Sequence, residues 1–376
     1  MTTRYLRLLA FFLVLATSAE RVTTFHSVLA VERSSQRVLT RYEYAEPHMG
    51  TRFRIAMYAA DQAAADKAAR AAFERIHFLD EAMTDYKETS ELMRLCQKAG
   101  GPAVPVSDEL FFVLAKAKAV SKLSDGAFDV TVGPIVRLWR RARRQKELPD
   151  PKKVAAALEL VGYDKMVLDD KAQTVQLLKP GMLLDLGGIA KGYAADEALA
   201  VLRRHGVDKA LVAAGGDIAV MGAPPGTSGW TVGIAPLESP DLPPSRSLVL
   251  KDAAVSTSGD AEQFIEINGK RYSHIVDPKT GVGLTGRRSV TVVARKGIDA
   301  DSLTKVVSVL GPERGMPIID RIHGAAALSL EKTENGMVEA ESKRWKDVPQ
   351  RNDKVTDGWN SHSHLSQLCL QQFQLD

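Results

Sequence analysis

Hydrophobic positions along this chain follow two different periods, and the change from one to the other divides it. From Thr51 to Tyr58 apolar and polar residues alternate, the rhythm of a half-buried strand. Asp61 to Met83 follows as an alanine-rich helix, with Phe73, Ile76, Leu79 and Met83 recurring on one face. Ser107 stands in a capping position, ahead of Asp108 and Glu109 in a first turn and of Leu110, Phe111 and Leu114 on an apolar face. Asp150-Pro151 opens a third, short helical stretch ending near Gly162.

The segment Leu184-Asp185-Leu186-Gly187-Gly188-Ile189-Ala190-Lys191 reads as an apolar strand, a glycine turn and a lysine opening a helix. Arg203, Arg204 and His205 fill the last turn of that helix, and Gly206 is its natural stop. Beyond it the two-residue period prevails. Strands are expected at Ala210 to Val220, Trp230 to Ala235, Ser247 to Leu250, Glu262 to Ile267, Arg271 to Val276, Ser289 to Ala294 and Ala325 to Leu330. Asn268-Gly269 is a two-residue hairpin signal. Helices at Asp301 to Leu310 and Glu313 to His323 complete the pattern. Helix-rich and strand-rich parts segregate instead of alternating, which predicts an α+β fold and disfavours a doubly wound sheet.

Composition narrows the class. With 376 residues and 45% hydrophobic content the chain can bury a large core, and its net charge of +4 is modest. The basic run Arg137, Arg140, Arg141, Arg143, Arg144 and Lys146 contains Trp139 as its sole aromatic and reads as a solvated helix end, which argues against nucleic-acid binding. Arg4 and Arg7 precede an apolar run from Leu8 to Ala16 and then Thr17, Ser18 and Ala19. This is the pattern of an export signal over residues 1–19, and it is too short for a membrane span. Residues 20–46 read as a linker, 47–340 as the functional domain and 341–376 as a tail, loose from about Trp345. Cys96 and Cys369 make neither a disulfide framework nor a metal site.

The glycine-lysine turn carries the first chemistry. A helix N-terminus presents backbone N–H groups and the positive end of its dipole, adjacent glycines admit a bulky anion, and Lys191 adds a full charge. The spacing is neither a Walker A motif nor a dinucleotide fingerprint. A plain turn is the simpler reading. Other polar signatures sit at element ends: His48-Met49-Gly50-Thr51, Met83-Thr84-Asp85-Tyr86 with Ser90-Glu91, Gly126-Ala127-Phe128-Asp129, Ser256-Thr257-Ser258-Gly259 and His274-Ile275-Val276-Asp277-Pro278-Lys279-Thr280-Gly281. Each has an ordinary alternative in turn chemistry or as a structural histidine.

Taken in order, these motifs resemble the ApbE family of FAD:protein FMN transferases from about Pro47 to Leu330. The run Asp185 to Ala194 and the run His274 to Gly281 carry the resemblance most specifically. It implies mixed or antiparallel sheets with flanking helices in two closely packed subdomains. It also implies that FAD is the flavin donor, that FMN is joined by a phosphoester to an acceptor threonine, and that AMP leaves. By the same resemblance Met49, Tyr86, Ala127, Phe128, Asp129, Asp185, Lys191 and His274 lie at the FAD. A Mg2+ ion is implied at the phosphates, held by the Gly188 carbonyl and by Asp301. The implied acceptors are flavoprotein subunits of NADH:quinone oxidoreductase or Rnf-type membrane complexes, reached after export to the periplasm. His274 and Asp301 are the candidates for general base. Two other readings stay open: a FAD pyrophosphatase giving FMN and AMP, and a periplasmic flavin binder without catalysis.

At the metal the chain departs from the family pattern. Ala300-Asp301-Ser302-Leu303-Thr304-Lys305 puts Lys305 where the family has a threonine, and Thr304 about 100° away on an ideal helix. An ammonium has no lone pair for a hard cation and repels it. Either Lys305 swings aside while water completes the shell, or its ammonium replaces the metal between Asp301 and a phosphate. A solvated lysine on a shifted helix is the plain alternative.

Overall fold

In the computed structural model, residues 38–237, 244, 246–259 and 264–351 are described. The expected export signal, residues 1–19, and the tail beyond residue 351 lie outside the described residues. The chain begins with β1 (Thr40–His48) and β2 (Thr51–Ala59), followed by α1 (Gln62–Met83) and α2 (Glu91–Gln97). A two-residue strand β3 (Val104–Pro105) precedes α3 (Asp108–Leu123), α4 (Gly133–Gln145) and α5 (Pro151–Leu158). Then come β4 (Met166–Asp169), β5 (Thr174–Leu177) and α6 (Ala190–Arg204). The strand-rich part comprises β6 (Ala210–Ala214), β7 (Asp217–Met221), β8 (Trp230–Ile234), β9 (Arg246–Leu250), β10 (Ala253–Gly259), β11 (Phe264–Ile267), β12 (Lys270–Val276), β13 (Gly283–Thr285) and β14 (Arg287–Ala294). Helices α7 (Gly297–Leu310) and α8 (Pro312–Arg321) precede β15 (Ala326–Thr333), β16 (Gly336–Glu341) and β17 (Gln350–Arg351).

An antiparallel sheet in the order β1-β2-β6-β7-β10-β14-β15-β16 forms the middle layer. Alternation along its strands assigns side chains to two faces. Phe53, Ile55 and Met57 of β2 and Ala210, Val212 and Ala214 of β6 pack with Ile76, Leu79, Leu202 and Leu303 of the helices. Their neighbours Ala56, Leu211 and Ala213 face a second core with Trp230, Val232 and Leu248 of the small sheet β17-β9-β8. A third cluster joins Ile135 and Trp139 of α4 to Tyr272 and Val276 of β12. The α+β class expected from the sequence is therefore what the chain adopts.

The Ser107 cap stands where the sequence put it, and Asp61 proves to be the cap of α1 and not its first residue. Asp61 accepts from the Ala64 N–H and Ser107 from the Leu110 N–H, and each closes the open end of its helix. Asn268 and Gly269, with φ of 51° and 71°, turn β11 into β12 as a two-residue hairpin.

Four expectations need correction. Residues 40–46 are not linker but belong to β1, which among the described residues pairs only with β2; of its side chains Tyr42 and Tyr44 rest against the main core. The run Ala210 to Val220 is a hairpin, because Gly215 at φ 64° breaks it and a Cβ on Gly216 would stand 2.5 Å from the Thr257 carbonyl oxygen. The residues before the glycine turn form no strand: the N–H of Leu184 donates to Cys96 Sγ and that of Asp185 to the Val130 carbonyl. The chain from 341 to 351 is ordered onto the fold, since Trp345 is fully buried and β17 pairs with β9.

Candidate active site

The sheet layers and α4 enclose one side of a cavity of about 1460 Å3. Drug-sized pockets run from about 300 to 1,000 Å3, so this one suits a dinucleotide with room left at its mouth. Met49, Tyr86, Ala127, Phe128, Asp129, Asp185, Gly188, Lys191 and His274 all line it, gathered from sequence positions more than two hundred residues apart. Asp301 does not line it. It lies fully buried beneath Lys305, which does.

Met49 occupies the β1–β2 turn at φ 49°, with its N–H donating to Asp80 at the end of α1. Tyr86 follows α1 and is 75% exposed, with the Arg140 guanidinium 4.6 Å from its ring centre. An aromatic face held by a cation is a stacking platform for a planar ring. Ala127 and Phe128 are buried in the wall. Asp129 is buried too, and its carboxylate accepts from both the N–H and the hydroxyl of Thr131 at 2.8 and 2.7 Å. Burial pushes its carboxyl up, and those two bonds oppose the shift. Its part in the site is to set the Val130–Val132 turn. His274 lies on β12 with its side chain exposed into the cavity.

Arg140 is no part of a solvated helix end, contrary to the expectation from its basic run. It ion-pairs with Asp85 and, at 2.8 Å, with Asp185, which fastens α4 to the glycine turn. Asp185 in turn accepts from the Gly187 N–H at 2.8 Å. Burial pushes the Asp185 carboxyl up, against the pull of Arg140. Lys191 Nζ donates to the Gly187 carbonyl at 2.8 Å and faces Asp217 at 3.3 Å. Burial alone would lower its ammonium, but Asp301 and Asp217 more than offset that and hold the pKa high. Asp217 is braced by the Ser256 hydroxyl at 2.6 Å.

Sequence reasoning had Asp85 only within the Met83–Tyr86 signature, and missed Arg140 and Asp217 as site residues. Of those two, Asp217 carried a local signal, a carboxylate directly after the Gly215-Gly216 pair.

The backbone of the turn contributes less than the sequence suggested. The N–H groups of Ile189 and Ala190 both donate to the Leu186 carbonyl, that of Gly187 to Asp185, and that of Gly192 to Asp301. Those four N–H groups are committed within the fold, and Lys191 and Lys305 bring full positive charges to the cavity floor. Helices α6 and α7 touch at bare backbone here: a Cβ on Gly192 would lie 2.1 Å from the Gly297 carbonyl oxygen. That contact brings Asp301 and Lys305 of α7 alongside Lys191 of α6.

Asp301 Oδ1 holds Lys305 Nζ at 2.5 Å, and Oδ2 accepts from the Gly192 N–H at 3.1 Å. Burial would raise the Asp301 carboxyl, but Lys305 and Lys191 together hold it below the usual carboxylate range. Thr304 is fully buried, its hydroxyl bonded to the Asp301 carbonyl and to Ser258. Mg2+ takes about six oxygen ligands at close range. Here the one carboxylate expected to bind it already holds an ammonium, and the Thr304 hydroxyl is bound inward. As they stand, with Asp301 paired to Lys305, these residues do not fit a divalent ion at Asp301.

A cavity of this size, walled by an antiparallel α+β fold and floored by lysines over buried carboxylates, defines a protein that binds a large phosphorylated ligand. The profile of the ApbE family matches residues 49–329, and the chain belongs to that family. A FAD:protein FMN transferase of Klebsiella pneumoniae (strain 342) is 34% identical over 275 residues, which span 73% of this chain and 84% of that protein. One of Treponema pallidum (strain Nichols) is 33% identical over 304 residues, 77% of this chain and 84% of its own. The solved flavin transferase ApbE from Vibrio cholerae superposes with a TM-score of 0.74 at 29% identity, covering 82% of this chain and 99% of that one. The ApbE protein from Thermotoga maritima gives 0.73 at 30% identity, covering 83% and 100%.

Proposed function

We propose that this chain is an enzyme that takes FAD as substrate and transfers its FMN part to a threonine hydroxyl of an acceptor protein, releasing AMP. The observation that carries this reading is the cavity floor. Lys191 and Lys305 lie there side by side with the Tyr86–Arg140 platform in the same wall, so one pocket offers cations for a diphosphate and a stacking face for a ring system. The names of the relatives support it.

In the proposed step the acceptor oxygen attacks the FMN-side phosphorus in line. A new phosphorus–oxygen bond forms to the acceptor, the bond to the AMP phosphate breaks, and AMP departs with the negative charge. Protein catalysis of such transfers is mainly positioning and charge neutralisation. Lys191 supplies charge at the phosphates, while Asp185 and Arg140 fix the turn that carries it.

Of the two candidate bases, His274 has access to the cavity and accepts the hydroxyl proton. Asp301 has no path to it, being fully buried and paired with Lys305. Export to the periplasm fits the pattern of residues 1–19, and acceptor subunits of NADH:quinone oxidoreductase or Rnf-type complexes fit the chemistry. No helix among the described residues is long and apolar enough to cross a membrane.

Incubating the purified protein with FAD, with and without a candidate acceptor, tests the reading. AMP together with covalently fluorescent acceptor is the expected result. AMP without label would make the protein a hydrolase, and intact bound FAD a flavin binder. Replacing His274 with Ala should slow transfer by about 10²–10⁴-fold while FAD still binds; unchanged turnover removes it as the base.

A further inference from the structure

The side chain of Lys305 runs across the cavity floor between two residues the sequence assigned to a metal. A Cβ placed on Gly188 would meet Lys305 Cε at 3.4 Å, and the far end of the same side chain sits on Asp301 Oδ1. Lys305 lines the cavity yet its side chain is only 16% exposed, so it is a wall group and not a solvated lysine. Asp301 reaches the ligand space only through it.

We propose that the Lys305 ammonium, seated on Asp301, is the cation this chain places against the diphosphate of FAD in place of a divalent metal ion. The proposal rests on the reading of the cavity as the FAD site. Three observations support it. Both Asp301 oxygens are engaged, one by the ammonium and one by the Gly192 N–H, so the ammonium already stands where a metal on this carboxylate would sit. The two hydroxyls of this stretch are bound inward, that of Thr304 by Ser258 and the Asp301 carbonyl and that of Ser302 by the Ile298 carbonyl. Lys191 stands against the same carboxylate from α6, so an incoming divalent ion would meet repulsion from two ammonium groups. Lysine binds phosphate well as a point charge, and a buried carboxylate keeps its position fixed without capping the protons that face the cavity. Lys305 has three N–H donors; one goes to Asp301 and the remainder are available to phosphate oxygens.

FAD affinity of the full chain, followed by flavin fluorescence, decides the matter in excess EDTA and again with millimolar MgCl2. The wild type should bind FAD within about twofold in the two buffers, and Lys305→Thr should bind about tenfold or more weakly in EDTA and recover with Mg2+. Binding by the wild type that collapses in EDTA overturns the proposal and leaves the FAD site standing. So does a folded Lys305→Thr protein that binds as tightly as wild type without metal. No FAD binding in either buffer overturns the site and the proposal together. Circular dichroism checks that the variant folds, and if it does not, the wild-type comparison alone settles the outcome.

Discussion

Two lysine–aspartate pairs floor the cavity, and they are built differently. Lys191 and Asp217 come from α6 and β7 and meet at 3.3 Å, with a serine hydroxyl holding the acid and a carbonyl sharing the base. Lys305 and Asp301 stand four residues apart on α7, meet at 2.5 Å, and have their acid sealed from the cavity. The first pair is assembled by the tertiary fold and keeps its lysine partly exposed; the second is local, and its acid is wholly inside. A long-range pair can be lost by shifting one element, whereas a local pair survives such shifts but leaves a stranded charge when one partner is removed.

The largest effect should come from Asp301→Ala. It leaves the Lys305 ammonium and the Gly192 N–H without their acceptor, and the loss expected in chemical denaturation is about 3–5 kcal/mol. The matching change on the other pair, Lys191→Met, should be milder in stability but cut AMP release by about 10²–10³-fold, as removal of one electrostatic stabiliser does. If both variants lose stability alike, the contrast between the pairs fails.

Gly192→Ala moves both pairs together, because its Cβ would strike the Gly297 carbonyl where α6 and α7 touch. A destabilisation of about 1–3 kcal/mol is expected from such overpacking, visible as a lower Tm. The smallest effect concerns Asp196 of α6, whose two oxygens accept from the Gly297 and Ile298 N–H groups at the start of α7. Burial pushes its carboxyl up to about 6 despite those bonds. The native state therefore holds a proton that the unfolded chain releases at lower pH, and stability falls as pH rises between about 4 and 6, by at most about 1.4 kcal/mol per pH unit. Urea titrations of wild type and Asp196→Asn across that range should show a flatter profile for the variant.

Much of the fold was legible because local rules agree with the final packing. The face of α1, the cap at Ser107 and the Asn268-Gly269 hairpin each follow from a few neighbouring residues. Strand β1 was not legible, since it is an edge strand whose buried side is made of tyrosines among charges. The hairpin of β6 and β7 hid inside a continuous apolar run because both its strands are covered on both faces.

In the site, the positions lining the cavity could be named from motifs, but their partners could not. Arg140 finds Asp185 across 45 residues and Gly192 finds Asp301 across 109, and neither meeting leaves a trace in spacing. Lys305 was legible only as a departure from a pattern, and its geometry came from the fold.

The turn before α6 spends the N–H groups of Gly187, Ile189 and Ala190 on its own carboxylate and carbonyl. Main-chain amides are the same whatever the gene encodes, and a pocket that relies on them can be altered only by bending the chain. A pocket that draws its positive potential from Lys191, Lys305 and Arg140 can instead be retuned one codon at a time, with the scaffold unchanged.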